Sequence, residues 1–457
     1  MKNREEWGSK LGFILAASGS AVGIGNIWKF PHIAGQNGGA AFTFIYLLFI
    51  LIIGLSLIVA EFAIGRKTQL SPVGAFSVLA PKTKWKYAGF LGVGSAFVIL
   101  SFYGVVGGWI LKYITISISG GFSPLDGNTD AASTLFTNFI QSTWSPIFFQ
   151  VVFMSLCIYV IVNGIKEGIE TWSKILMPII ILLLFVLAIK GLLMPGGIEG
   201  LKFLFLPRFS DLTASSIVLA LGHSFFTLSL GMGTMITYGS YLNKKQNLIK
   251  SALWVIFLDT FIALLAGVAI FSTVFALNAD PAGGPGLIFF VLPSIFPQLT
   301  YGIVWSTLFF TLLFMAALTS AISILEVVTA YTIDQKGWSR KKSTIGFGII
   351  ITIVGVFCSL SMGGGVNLTE WMGKTFFDFM DELSSKYMLP IGGLFTALFI
   401  LKEWTVKSFV KELGQKIFSF NKDVLMFKIF FIISAILIGF ILINEIILEL
   451  TGNAILG

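Results

Sequence analysis

Eleven runs of predominantly apolar residues, most of them close to bilayer-crossing length, constrain this 457-residue chain more than any other feature. They lie at roughly 9–35, 40–65, 87–118, 145–162, 168–193, 214–239, 248–277, 302–333, 343–361, 374–402 and 425–448. A hydrocarbon core takes about 20 apolar residues per helix, so each run is predicted to span a membrane. Only 11% of residues are charged, against about 25% in a soluble domain. The expected fold is an all-α polytopic membrane protein, one transmembrane domain over residues 1–457. Its solvent partner is the lipid bilayer.

The net charge of +8 could suggest nucleic acid, but the Lys and Arg residues sit in short joints between spans. There they read as topology signals, and no nucleic-acid partner is expected. Lys2, Arg4, Arg66, Lys67, Lys82, Lys84, Lys86, Lys166, Lys244, Lys245, Lys250, Arg340, Lys341, Lys342, Lys407, Lys411 and Lys416 fall on one side of the alternation. The long joints at 119–144 and 278–301, on the other side, hold no Lys or Arg, and Lys202, Arg208 and Lys374 are exceptions. The bias predicts a multi-pass protein of the cell membrane with a cytoplasmic N-terminus and, for an odd count, an external C-terminus. Glu5, Glu6 and the direct run into Ile27–Phe30 argue for a first span rather than a cleaved leader. Cys157 and Cys358 both lie in apolar runs, which gives neither a disulfide framework nor a metal site.

Two spans are interrupted. In Ala16–Pro31 (AASGSAVGIGNIWKFP), Gly19, Gly23 and Gly25 fall inside an apolar helix, each costing about 1 kcal/mol relative to Ala. In lipid a broken helix survives only where its freed N–H and C=O groups face protein or a watery cavity. Freed carbonyls suit a cation, and freed N–H groups suit a carboxylate. Gly19 and Gly23 also fit GxxxG spacing, a pure packing face. The second break, Gly231 and Gly233 in Phe225–Tyr238 (FFTLSLGMGTMITY), decides between these readings. It falls in span six, the counterpart of span one if two five-helix halves cover about 9–193 and 214–402, with an extra helix at about 425–448. Paired interruptions at corresponding places point to an inverted-repeat transporter with a midplane site.

With GSAVGIGN and WKFP in span one, FFTLSLGMG in span six and ALTSAISILE in span eight, the chain resembles the neurotransmitter:sodium symporter family, and within it the bacterial sodium-dependent amino-acid transporters. The resemblance runs from Arg4 to at least Asp381. It implies sodium-coupled symport by alternating access, with Na⁺ at two sites. One site would use Gly19, Val22, Ala316, Thr319 and Ser320; the other Ala21, Asn26, Thr227 and Asp259. Without the resemblance, Thr319 and Ser320 read as hydroxyls bonded back to their own helix. Asp259 stands where the family often has Asn, and Ala263, one turn on, replaces the Ser of chloride-dependent members. A mid-membrane carboxylate is functional by default; here it implies that chloride is not required.

The substrate pocket implied by the resemblance comprises Ala21, Ile24, Gly25, Ile99, Tyr103, Phe226, Thr227, Ser229, Met232, Ser320 and Ile324. Gly23 stands where monoamine-transporting relatives carry Asp, which favours an α-amino acid. The flexible Met232 and the rings of Tyr103 and Phe226 favour a hydrophobic or aromatic L-amino acid. Lys29 and Asp381 would form an outer gate, and Arg4 and Asp334 an inner one near Trp7, Ser240 and Tyr241. His223 is expected to be a hydrogen-bonded filler. Gly168-x9-Pro178 either makes the start of span five easy to unwind or is a plain helix start.

Two other classes compete. An intramembrane enzyme would draw on His223, Ser224 and Asp259, but no GxSxG or HExxH supports it. A channel would lack saturable, sodium-dependent uptake. A transporter, not an enzyme, is the expectation.

Overall fold

The computed structural model describes residues 4–277, 279, 286–363, 373–414 and 417–451; Lys2 and Lys416 of the charge argument lie outside them. The chain is helical, with no strand among the described residues. Among the described residues nine continuous helices are long and apolar enough to cross a membrane: Ala40–Thr68, Lys86–Ile118, Trp144–Val162, Ile165–Leu192, Leu248–Ala276, Gly302–Lys336, Arg340–Leu360, Phe376–Trp404 and Phe420–Thr451. Span one is the pair Lys10–Ala21 and Gly25–Gln36, bent by 51°. Span six is Ala214–Thr227 followed by Thr234–Gly239. Among the described residues each predicted run thus has a helical counterpart, nine or ten of them long and apolar enough to cross a membrane, and spans one and six are interrupted near Gly23 and at Gly231 and Gly233.

The joints carry structure that apolar periodicity does not report. Short helices occupy Pro72–Leu79, Thr129–Gln141, Gly197–Phe205 and Val406–Leu413. Asn128 caps the second of these by accepting the Ala131 N–H. Span three packs along span eight, and span five along span seven. The first half of span one lies against spans five, seven and eight, so the break is enclosed on all sides by helices. Leu57, Phe62, Tyr113, Phe225, Phe271 and Phe310 are among the fully buried side chains. The large exposed apolar residues, such as Leu182, Phe185, Phe257 and Ile436, lie on the outer faces of spans, as a lipid-facing surface requires.

Span five opens with a wide π-type turn over Ile165–Glu170 before the regular helix Thr171–Leu192, which contains Pro178. A Cβ at Gly168 would lie 2.1 Å from the Val160 carbonyl oxygen, so only glycine permits this approach.

Candidate functional site

The span-one break begins where Val22 leaves the helix in an extended conformation (φ −71°, ψ 105°). The carbonyls of the helix's last turn lose their helical partners. Ser320, on span eight, places its Oγ 3.4 Å from the Gly19 carbonyl oxygen, 3.1 Å from that of Ser20 and 3.2 Å from that of Val22. A hydroxyl has one proton to donate. Three carbonyl oxygens thus converge on a point where a single proton cannot satisfy them, which is the environment of a hard cation. Thr319 lies on the same wall, its Cβ 3.3 Å from where a Gly19 Cβ would stand. Its hydroxyl donates to Met315 (3.2 Å) and Ala316 (3.0 Å) in its own helix. The two neighbours divide: Thr319 keeps the back-bond, and Ser320 reaches across.

Asn26, Thr227 and Asp259 meet on the other side of the break. Asp259 is completely buried. It accepts the Asn26 side-chain amide at 2.7 Å and the Thr227 hydroxyl at 3.1 Å. The Asn26 amide oxygen in turn accepts the Gly23 N–H at 3.1 Å. The hydroxyl and carboxylate oxygens of Thr227 and Asp259 meet here with the Asn26 amide nitrogen facing them, a set rich in the oxygens a hard cation takes, and no group of three His, Cys, Asp or Glu side chains suited to a softer metal occurs among the described residues.

Between these clusters lies a small cavity. Of the eleven predicted substrate residues, all but Ile24 line it, and Ser20 and Gly23 join them. Ile24 contributes its backbone: its N–H donates to the Tyr103 hydroxyl at 3.4 Å. A Cβ at Gly23 would come within 2.4 Å of Ser320 Oγ and 3.0 Å of Tyr103 Oη. Ser229 holds a left-handed φ of 52° and donates to the Ser20 carbonyl at 2.9 Å, which ties the two breaks together. Backbone of the span-one break, the Tyr103, Thr227, Ser229 and Ser320 hydroxyls and the apolar Phe226, Met232, Ile99 and Ile324 side chains share the lining, with the Phe226 ring against the Gly25 backbone.

The gates differ. Arg4 donates to Asp334 at 2.5 Å and to Ser240 at 2.7 Å, and its guanidinium lies 4.7 Å from the Tyr241 ring centroid. Trp7 donates to the Tyr238 carbonyl at 3.1 Å. At the opposite face the predicted Lys29–Asp381 pair is not formed. Lys29 instead sits over the Phe226 ring, 4.2 Å from its centroid. Lys374 binds Glu382, the residue beside Asp381, and this contact holds the Lys374 ammonium above its ordinary pKa. His223 also corrects its expectation. Neither ring nitrogen has a hydrogen-bond partner; the ring is held by its faces, 5.2 Å from Tyr46 and 6.3 Å from Phe30.

Several charged residues at the site escape a motif reading. Glu61 of span two is buried, and its Oε1 accepts the Gly231 N–H at 2.9 Å, so it fills the span-six break with a carboxylate. Glu170 accepts the Gly8 N–H and the Ser9 hydroxyl at the start of span one. Glu326 binds Arg340 and Tyr241, and Glu5 binds Arg340 and the Ile165 N–H. For Glu61 and Glu326 the signal in the sequence is a Glu inside an apolar run.

The sequence matches the sodium:neurotransmitter symporter family over residues 4–127 and 133–452. It is 44% identical over 395 residues to the uncharacterized sodium-dependent transporter YhdH of Bacillus subtilis, covering 86% of this chain and 87% of that protein. An uncharacterized sodium-dependent transporter of Haemophilus influenzae is 34% identical over 415 residues, 87% of this chain and 89% of its own length. The crystal structure of MhsT in complex with L-phenylalanine superposes with a TM-score of 0.87 at 44% identity, covering 96% of this chain and 99% of that one. With two broken spans around a buried oxygen-lined cavity, and with these relatives, the chain belongs to the sodium:neurotransmitter symporter family and is a sodium-dependent, multi-pass membrane symporter.

Proposed function

We propose that the protein couples the entry of two sodium ions to uptake of a hydrophobic or aromatic L-amino acid. The observation that carries this reading is the span-one break, where the carbonyls of Gly19, Ser20 and Val22 converge on one hydroxyl. One sodium takes the carbonyls of Gly19, Val22 and Ala316 with the hydroxyls of Thr319 and Ser320. Thr319 then rotates off its own helix to join them. The second takes Ala21, Asn26, Thr227 and Asp259, with the Asn26 amide turned to present its oxygen. Asp259 supplies the fixed negative charge, so chloride is not required. The substrate carboxylate meets the Ile24 and Gly25 N–H groups and the Tyr103 hydroxyl, and its side chain lies along Phe226 and Met232. Support for an aromatic substrate comes from those side chains and from the phenylalanine bound by MhsT.

The N-terminus is cytoplasmic in this reading, and spans one to five and six to ten form the two inverted halves. The Arg4–Asp334 face is shut, and the Lys29–Asp381 face closes when substrate fills the cavity under Phe226. Each sodium moving through 100 mV yields about 2.3 kcal/mol, and a tenfold gradient adds roughly 1.4 kcal/mol. Two ions thus drive accumulation with roughly 7.4 kcal/mol. The test is sodium-dependent uptake in proteoliposomes, competed by each of the twenty amino acids. Tyrosine, tryptophan, phenylalanine or leucine should compete best. If glycine or alanine wins, the substrate class is wrong and the symporter assignment stands.

A further inference from the structure

The joint between spans ten and eleven builds a surface that the transport cycle does not use. Its helix Val406–Leu413 is two-sided: Val406, Phe409, Val410 and Leu413 are buried, and Lys407, Ser408 and Lys411 form the exposed stripe. Lys402, one turn before the helix, is also exposed, and so is Glu403. Beyond the helix, Asp423 is 1% exposed and accepts the Ile417 and Phe418 N–H groups, both at 3.0 Å. That pins the backbone while the side chains of Ile417 (43% exposed) and Phe418 (67%) project outward. A phenylalanine held rigidly outward beside a lysine stripe, at the mouth of two spans, has no use for water. Basic groups over an apolar anchor are the pattern of a headgroup-level lipid contact.

We propose that Lys402, Lys407 and Lys411, anchored by Ile417 and Phe418, bind the headgroups of anionic phospholipids in the leaflet at the N-terminal face. The helix is not a loose appendage. Arg66, 2% exposed at the end of span two, donates to the Glu412 carboxylate at 2.9 Å and also to the Glu412 carbonyl. Its other nitrogen donates to the Gln246 carbonyl at 2.7 Å, in the joint that follows span six. A headgroup on the lysine stripe is thus one ion pair away from the end of a broken span.

The experiment is thermal unfolding of the full-length protein in neutral detergent, titrated with dioleoylphosphatidylglycerol, dioleoylphosphatidylcholine or inorganic phosphate. Phosphatidylglycerol should raise the melting temperature, and the other two should not. The exposed-residue variant Lys402→Gln/Lys407→Gln/Lys411→Gln should need about a hundredfold more phosphatidylglycerol for the same shift, at about 1 kcal/mol per lysine. The equal-charge control Lys82→Gln/Lys84→Gln/Lys86→Gln, in another exposed basic joint, should respond as the wild type does. An identical loss in both variants means net charge alone and overturns the site. A shift with inorganic phosphate equal to that with phosphatidylglycerol means a free-anion site and overturns the lipid. Phe418→Ser, which leaves every lysine in place, should weaken the response; an unchanged response removes the apolar anchor.

Discussion

The two broken spans look alike in sequence and are held open in opposite ways. At the span-one break the freed groups meet neutral, rotatable partners: the Ser320 and Tyr103 hydroxyls and the Asn26 amide. At the span-six break they meet things that do not exchange. Glu61 takes the Gly231 N–H, and the backbone presses on span ten so closely that a Cβ at Gly231 would lie 2.2 Å from the Leu389 carbonyl oxygen. Gly231 and Gly233 hold φ of 80° and 78°, in the left-handed region. Rotatable hydroxyls can hand their carbonyls to an ion and take them back. A locked break fixes the far wall against which that exchange occurs, so span one offers exchangeable partners and the glycines of span six a fixed shape.

The largest effect should come from breaking the lock. Gly231→Ala forces a left-handed alanine against a carbonyl oxygen, which costs at least about 3 kcal/mol. Loss of monodisperse protein on size-exclusion chromatography is expected, whereas Gly222→Ala, whose Cβ meets nothing within 4 Å, should leave the profile unchanged. If both variants behave alike, span six is not locked.

Asp259→Asn comes next, because it removes the one charge in the ion clusters. The sodium concentration for half-maximal binding should rise about tenfold or more, and adding Ala263→Ser should create an anion requirement. Wild-type uptake that collapses when gluconate replaces chloride would contradict the fixed-charge reading. Single hydroxyls should matter less. Ser320→Ala and Thr319→Val should each weaken sodium binding several-fold, Ser320→Ala more, since its hydroxyl already stands among the carbonyls. An unchanged sodium dependence in both removes that site. The smallest effect is one of preference: Met232→Phe puts a ring into the cavity lining and should shift competition toward smaller aliphatic amino acids by a few-fold, read as ratios of inhibition constants.

The spans and both breaks were legible because glycine in a lipid-crossing helix admits few explanations. The cavity lining was legible through the family motifs rather than periodicity, and the structure brings Ile99, Tyr103, Phe226 and Ile324 together around it. The short joint helices were not, since their burial is set by partners distant in sequence, as when Arg66 reaches Glu412. Glu61 was overlooked for a related reason. A carboxylate whose partner is a backbone N–H 170 residues away leaves no pattern in its neighbours. The Lys29–Asp381 pair is not formed in this conformation, in which the Lys29 ammonium lies over the Phe226 face.

The six residues from Arg4 to Ser9 are tethered to four different spans, through Asp334, Arg340, Tyr238 and Glu170. Because these contacts converge on six consecutive residues, opening that face must separate them together. The turnover rate should therefore climb steeply on warming, and a cooled carrier should come to rest with its N-terminal door shut.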